Sequence, residues 1–209
     1  MPNKPLRVLL VEDSADDADL LLLDLGRGGF EPTALRVETA DRFRAVVATE
    51  PWDVILCDNS LPEFDASQAL AILRQSDAGV PLIVVSGTIG EERAVELMRA
   101  GAADYLMKDR LVRLAPAVGR EVREAAGRRA LRQVEREARD LAAIVAWSGD
   151  AIVGLTLDGT VRTFNSGAER LYGYAAAEII GHPVADLFTP EDRERGALEH
   201  ELAVALSLI

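Results

Sequence analysis

Four short apolar runs in the first half of the chain each end at a polar side chain that can act on a phosphoryl group. The runs cover residues 8–11, 54–57, 82–85 and 105–107, and they are followed by Glu12-Asp13, Asp58, Ser86 and Lys108. Continuous apolar runs of this length are typical of strands buried on both faces of a parallel sheet. The carboxyl ends of parallel strands form the edge at which such sheets bind ligands. The sequence therefore predicts one site that holds three carboxylates, a hydroxyl and an ammonium.

The first 125 residues alternate predicted strands with predicted helices. Strands are predicted at 7–11, 33–38, 53–57, 82–85 and 103–107, and helices at 15–25, 41–49, 66–75 and 91–99. Ser14 is a natural N-cap for the first helix. Gly26, Gly28 and Gly29 are expected to end that helix. Five units of this kind predict an α/β fold with a doubly wound, five-stranded parallel sheet.

From Leu111 to about Ile144 the pattern becomes that of one long helix. Its apolar residues at spacings of three and four are Leu131, Val134, Ala138, Leu141 and Val145. This spacing is typical of a coiled-coil seam. The alternative interpretation is an amphipathic helix that packs on its own domain.

After Trp147 a second pattern begins. Residues 151–157 and 160–164 predict a β-hairpin, with Asp158-Gly159 as its turn. Short helices are predicted at 168–171, 175–179 and 190–206. The long helix is therefore expected to connect a doubly wound domain to a small α+β module.

Composition limits the classes of partner. The formal net charge of -12 argues against a nucleic-acid surface and against binding to anionic membranes. Cys57 is the one cysteine, so we expect a reducing compartment and a small core residue at that position. The chain has no apolar stretch as long as a membrane span and no room for a signal peptide before the first strand, which predicts a cytoplasmic protein.

The motifs at the strand ends resemble those of a response-regulator receiver domain, over about residues 5–125. They are Val11-Glu12-Asp13, Asp58 followed by Leu61-Pro62, Ser86-Gly87, and Tyr105 three residues before Lys108. The resemblance implies a flavodoxin-like fold and a phosphoryl group accepted on Asp58 from a histidine kinase or a histidine phosphotransfer protein.

The resemblance also assigns roles to the other site residues. Asp13 would bind Mg²⁺ directly, and Glu12 mainly through water, with the backbone carbonyl of Ser60 as a further ligand. Lys108 and Ser86 would bind the phosphoryl oxygens, and Ser86 and Tyr105 would be the switch residues. Receivers often have a cis proline after this lysine, whereas Asp109 follows it here. A trans peptide bond and a differently shaped loop are therefore expected.

Residues from about 141 to 205 resemble the first half of a PAS domain. The segments that resemble it are Asp150-Ala151-Ile152-Val153, Asp158-Gly159, Phe164-Asn165, Ala168-Glu169, Leu171-Tyr172-Gly173-Tyr174 and Glu178-Ile179-Ile180-Gly181. The chain ends before the three strands that would close such a sheet, so we expect a fragment or a module that a partner completes. His182 is interpreted as a loop residue and not as a haem ligand.

These patterns predict three parts: a receiver at 1–125, a signalling helix at 126–146 and a PAS-like part at 147–209. The expected function is that of a two-component regulator with no enzyme activity of its own. Two contexts stay open, namely the N-terminal part of a hybrid sensor histidine kinase and another multidomain regulator. A homodimer is expected through the linker helix or the face from the fourth to the fifth helix. Two alternatives stay open, namely a Mg²⁺-dependent phosphohydrolase that uses Asp58 and a scaffold that is not phosphorylated.

Overall fold

The computed structural model describes residues 3–59, 61, 64–76, 79–87, 90–189 and 191. The chain divides into two compact units, Met1–Arg132 and Gln133–Ile209. The junction lies inside the predicted signalling helix. The predicted three-part division stays a prediction.

The first unit is an α/β fold around a five-stranded parallel sheet in the order β2-β1-β3-β4-β5. The strands are β1 (Lys4–Val11), β2 (Phe30–Val37), β3 (Val54–Asp58), β4 (Leu82–Ser86) and β5 (Asp104–Met107). The helices between them are α1 (Ala15–Arg27), α2 (Ala40–Thr49), α3 (Ala66–Gln75) and α4 (Glu91–Arg99). The predicted doubly wound sheet is confirmed.

Both faces of the sheet are covered by apolar side chains, which explains why its strands read as continuous apolar runs. Leu9, Ile55 and Val84 point to the side on which Phe43 and Leu97 complete a buried core. A second core on the opposite side contains residues of β1, α1 and α5: Val8, Leu10, Leu21, Leu25, Leu114 and Val118. Cys57 is fully buried, as its interpretation as a core residue requires.

One difference from the predicted boundaries lies at the connection from α1 to β2. The helix passes through Gly26 and ends at Arg27, and β2 begins at Phe30 instead of at residue 33. An added Cβ at Gly28 would lie 2.1 Å from the Cβ of Ala115, so this glycine allows the end of α1 to approach the helix that packs beside it. The glycine cluster therefore serves helix packing as well as helix termination.

A 3₁₀ helix, Lys108–Arg113, follows β5 and leads directly into α5 (Leu114–Trp147). The early part of α5 is buried, with Val118 fully covered and Ala125 at 1% exposure. Leu131, Val134 and Leu141 are each more than 60% exposed. The interpretation as a helix packed on its own domain is confirmed for the early part of α5, and the coiled-coil seam from Leu131 onwards stays a prediction.

The second unit contains a β-hairpin, β6 (Val153–Leu155) and β7 (Val161–Phe164), followed by α6 (Ser166–Tyr172), α7 (Ala176–Ile179) and a 3₁₀ helix, Val184–Leu187. Its small core consists of Val161, Phe164, Ala168, Ile179 and Val184. The predicted Asp158-Gly159 turn is confirmed, with Gly159 at a φ of 82°. The helix predicted at 190–206 lies almost entirely outside the described residues.

Asn165 is the buried polar centre of this unit, at 6% exposure. Its side-chain oxygen accepts from the backbone N–H groups of Ile152 at 2.8 Å and Ala168 at 2.9 Å. Its amide nitrogen donates to the carbonyls of Val145 at 2.8 Å and Asp150 at 2.9 Å. One side chain therefore joins the last turn of α5, the hairpin and the first turn of α6.

Among the described residues, no helix combines the length and the apolar character that crossing a bilayer requires.

Candidate functional site

The sheet brings its polar strand ends to one edge. Glu12 directly follows β1, Asp58 ends β3, Ser86 ends β4, and Lys108 directly follows β5. The registers pair Val11 with Cys57 and Ser86 with Met107, so neighbouring strands end at nearly the same level. The predicted grouping of carboxylates, hydroxyl and ammonium follows from this alignment.

The ammonium of Lys108 lies at the centre of the group. It donates to Glu12 Oε2 at 2.9 Å, to Asp58 Oδ2 at 2.8 Å and to Asp17 Oδ2 at 2.5 Å. Burial alone would lower the pKa of Lys108, but the hydrogen bonds to these three carboxylates outweigh it and raise that pKa above its ordinary value. Lys108 therefore stays charged, and it links β1, β3 and α1 through its side chain.

Glu12 and Asp58 are the buried acids of the site, at 2% and 8% exposure. Burial raises the pKa of Glu12, while the hydrogen bonds from Lys108 and from the backbone N–H of Ser14 act in the opposite direction. The nearby Asp58 also raises this pKa. Buried carboxylates this close together repel each other, so the site favours the binding of a cation.

Asp13, predicted as the direct metal ligand, is exposed. Its backbone carbonyl accepts from the guanidinium of Arg36 at 2.7 Å, and the carbonyl of Glu12 accepts from the same group at 3.2 Å. Arg36, at the end of β2, therefore holds the backbone of the acidic pair. The role of the Asp13 carboxylate stays a prediction.

Asp17 is the site residue that the sequence analysis missed. Among the described residues, Glu12, Asp17 and Asp58 form a group whose carboxylate oxygens lie within 4.8 Å of one another. Ser14 caps α1 by accepting from the backbone N–H of Asp17 at 3.2 Å. The predicted cap was the available signal, because it places the first turn of α1 at the edge of the sheet where β1 ends.

The remaining predicted residues lie around this centre. Ser86 is fully buried, and Tyr105 on β5 is half-buried. The aliphatic stem of Lys108 passes Gly87, with its Cδ 4.0 Å from the position that a Cβ would take there. Ser60, predicted to offer its carbonyl to the metal, lies outside the described residues, and that role stays a prediction.

The peptide bond after Lys108 is trans, as expected from Asp109, and no cis peptide occurs among the described residues. The chain instead turns into the 3₁₀ helix that begins at Lys108.

The donor set fits a hard divalent cation. Mg²⁺ takes oxygen ligands and is usually bound through a few carboxylates that leave room for water and phosphate oxygens. Glu12 and Asp58 supply two such carboxylates, with oxygens within 4.8 Å of each other, and Asp13 follows Glu12 in the chain. With a cation at the acids, Asp58 can act as a nucleophile towards phosphorus, while Lys108 and Ser86 can donate to phosphoryl oxygens.

Two family profiles match the chain. The profile of the response regulator receiver domain matches residues 8–118, and that of the PAS fold matches residues 139–206. The response regulator protein FleR of Pseudomonas aeruginosa is 34% identical over 154 residues, which cover 70% of this chain and 32% of FleR. The transcriptional regulatory protein PrrA of Mycobacterium tuberculosis is 35% identical over 102 residues, which cover 49% of this chain and 43% of PrrA.

A solved CheY-like response regulator receiver domain protein from Methanospirillum hungatei is similar in structure. It superposes with a TM-score of 0.51 at 25% identity, and the match covers 60% of this chain and 98% of that protein. This chain spans less than half the length of either FleR or PrrA. The similarity therefore identifies parts of the chain and leaves the activity of a whole protein to be proposed.

Proposed function

The chain belongs to the response regulator receiver family, and on this premise we propose that it is a phosphorylation-controlled signalling protein whose phosphoacceptor is Asp58. The observation that carries the proposal is the position of Lys108, whose ammonium joins Asp58 to Glu12 at the carboxyl edge of the sheet. The proposed phosphodonor is a histidine kinase or a histidine phosphotransfer protein.

In the proposed step, a carboxylate oxygen of Asp58 attacks the phosphorus atom of the donor. A new P–O bond forms on Asp58 while the P–N bond to the donor's imidazole breaks. The electron pair of that bond leaves with the nitrogen, which takes up a proton from water. Lys108 and Ser86 donate hydrogen bonds to the phosphoryl oxygens.

A Mg²⁺ ion would be held by Asp58 and Asp13, by Glu12 through water and by the carbonyl of Ser60. When bound, it would supply positive charge that reduces repulsion between the carboxylates and the phosphoryl oxygens. The chain's own part is to keep the acidic pair in place through Arg36 and to keep Asp58 within reach of Lys108.

The proposed output route is α5, which continues from the 3₁₀ helix at Lys108 to Trp147. Phosphorylation would shift the population between two arrangements of the face built from α4, β5 and α5. The exposed residues Leu131, Val134 and Leu141 follow a coiled-coil spacing, which supports a homodimer of parallel α5 helices. Helix register in that dimer would carry the change towards the PAS-like part.

The phosphoacceptor is tested by incubating the chain with acetyl phosphate and MgCl₂ and recording its intact mass. The wild type is expected to gain one phosphoryl group, and Asp58→Asn none. Asp16→Asn is the matched control, since Asp16 is an exposed carboxylate in the first turn of α1. Equal phosphorylation of Asp58→Asn and the wild type would overturn the proposal. Sedimentation of the same samples reports whether the chain dimerises.

The same incubation separates the two alternatives. Continuous release of phosphate from a generic phosphate ester, with dependence on Asp58, would favour a phosphohydrolase. Absence of both Mg²⁺ binding and phosphorylation in the wild type would favour a scaffold.

A further inference from the structure

We propose that Asp17 is a positioning residue that holds the ammonium of Lys108 at the phosphoacceptor site throughout phosphorylation. The proposal rests on the function proposed above and adds a residue that neither the receiver motifs nor the sequence analysis includes. The observation behind it is the contact of 2.5 Å between Asp17 Oδ2 and Lys108 Nζ across the site.

The backbone of Asp17 is held in place by the N-cap of α1. Its backbone N–H donates to the N-cap hydroxyl of Ser14, which sets the first turn of α1. The side chain of Asp17 is 37% exposed, against 9% for that of Asp58. Asp17 therefore offers a carboxylate from a helix, at the outer side of the cluster, while the buried acids come from strand ends.

The three partners of Lys108 differ in what phosphorylation would do to them. Asp58 would become the phosphorylated group, and Glu12 would take part in binding the cation. The carboxyl group of Asp58 would then carry no charge of its own, because the negative charge lies on the phosphoryl oxygens, and Glu12 would share its charge with the cation. Neither carboxyl group would then hold the ammonium in its present position. Asp17 is the partner that keeps its carboxylate for Lys108.

Lys108 needs such an anchor because its stem is long and flexible. A lysine ammonium is a point charge on a flexible stem of four methylene groups. Here the stem passes Gly87, which carries no side chain to confine it. A carboxylate on a capped helix restricts the ammonium without using a ligand of the cation.

The first experiment observes Lys108 directly, in the metal-free chain. Lys4 and Lys108 are the only lysines, so a spectrum of ¹⁵N-labelled lysine ammonium groups contains two signals. Lys4 is exposed and serves as an internal reference. In the wild type we expect the Lys108 signal to exchange its protons slowly. In Asp17→Asn it should exchange faster by about tenfold, and in Asp16→Asn it should not change. An unchanged Lys108 signal in Asp17→Asn would overturn the proposal.

The second experiment asks whether Asp17 acts through Lys108. The rates of phosphorylation by acetyl phosphate are compared for the wild type, Asp17→Asn, Lys108→Met and the double variant. Asp17→Asn should slow the wild type by about tenfold, since small displacements of a charged group at a reacting centre have effects of this size. In the Lys108→Met background it should add no further slowing, which is the signature of a residue that works through its partner.

Two results of the second experiment contradict the proposal. Equal slowing by Asp17→Asn in both backgrounds would mean that Asp17 acts on the metal or on the fold. Calorimetry measures Mg²⁺ binding in the same variants. If Asp17→Asn weakens Mg²⁺ binding by tenfold or more in the Lys108→Met background, Asp17 is a ligand of the cation and the proposal fails. If the wild type is not phosphorylated at all, the proposed function fails, while the lysine spectrum still decides whether Asp17 holds Lys108.

Discussion

The two units of the chain each contain a buried polar network. One network consists of charged groups and the other of neutral groups. In the first unit, one ammonium meets three carboxylates, those of Glu12, Asp17 and Asp58. In the second unit, the neutral amide of Asn165 makes two hydrogen bonds as donor and two as acceptor. The charged network has three carboxylates to one ammonium and therefore a surplus of negative charge, whereas every donor and acceptor of the Asn165 amide is used.

The difference indicates what each network does. A side-chain amide with two donors and two acceptor bonds in use has no capacity left for a ligand, so Asn165 is a structural residue. A cluster with surplus carboxylates is stabilised by a further cation and reacts to any change in charge. The function of this chain is therefore expected at the network that its own residues leave unbalanced.

Removal of the lysine should produce the largest change in stability. Lys108→Met leaves the buried carboxylates without their ammonium, and the free energy of unfolding of the first unit should fall by about 3 kcal/mol without metal. Lys4→Met is the matched control, at the exposed start of β1, and should change stability by less than about 0.5 kcal/mol. Hydrogen exchange of the β1 and β3 amides in EDTA measures both.

Millimolar MgCl₂ should restore much of the protection lost in Lys108→Met, because a bound cation replaces the missing positive charge. An equal loss in Lys4→Met, or no loss in Lys108→Met, would show that the ammonium does not hold the strand ends together.

Replacement of Asn165 should produce the second-largest loss of stability. Asn165→Ala removes four hydrogen bonds from a buried position and leaves their backbone partners unsatisfied, so the second unit should lose about 2 kcal/mol. Hydrogen exchange of the β6 and β7 amides is the measurement. Ser166→Ala is the control, since its exposed hydroxyl makes one bond, to the carbonyl of Ala146. In contrast to the Lys108 variant, added MgCl₂ should restore nothing, and a recovery with MgCl₂ would contradict the separation of the two networks.

The sequence predicts most residues of the charged network, but it does not predict all the contacts of either network. The phosphoacceptor edge follows from apolar runs that end at Asp58, Ser86 and Lys108, because parallel strands carry the residues after them to a common edge. The strand pattern does not predict Asp17, because Asp17 lies in a helix. Its approach to Lys108 depends on how α1 packs beside the sheet. Strand patterns contain no information on that packing.

Asn165 shows a second limit. The sequence places it in a pattern similar to a PAS domain and after a strand, which makes it a natural N-cap for α6. Its bond to the carbonyl of Val145 joins residues 20 positions apart, and no local pattern records that pairing. The extent of α5 was partly predictable for a related reason. The apolar spacing defines a helix, while burial up to Ala125 and exposure from Leu131 depend on tertiary contacts.

The smallest expected effect is a gain in stability, in contrast to the losses expected for the Lys108 and Asn165 variants. Without metal, Asp58→Asn removes one of the mutually repelling carboxylates, while Lys108 keeps its bonds to Glu12 and Asp17. The free energy of unfolding of the first unit should therefore rise by about 1 kcal/mol, because the repulsion between two buried carboxylates is removed.

Asp53→Asn is the matched control for this variant, just before the other end of the same strand. The carboxylate of Asp53 accepts from the backbone N–H of Arg7 at 2.8 Å, away from the acidic cluster, so its replacement should lower stability slightly. Chemical denaturation in EDTA compares the two variants with the wild type. A loss of stability in both would mean that the carboxylate of Asp58 is held as a structural partner of Lys108. A gain in Asp58→Asn alone would show that this strand end is kept acidic for its chemistry at a cost to the fold.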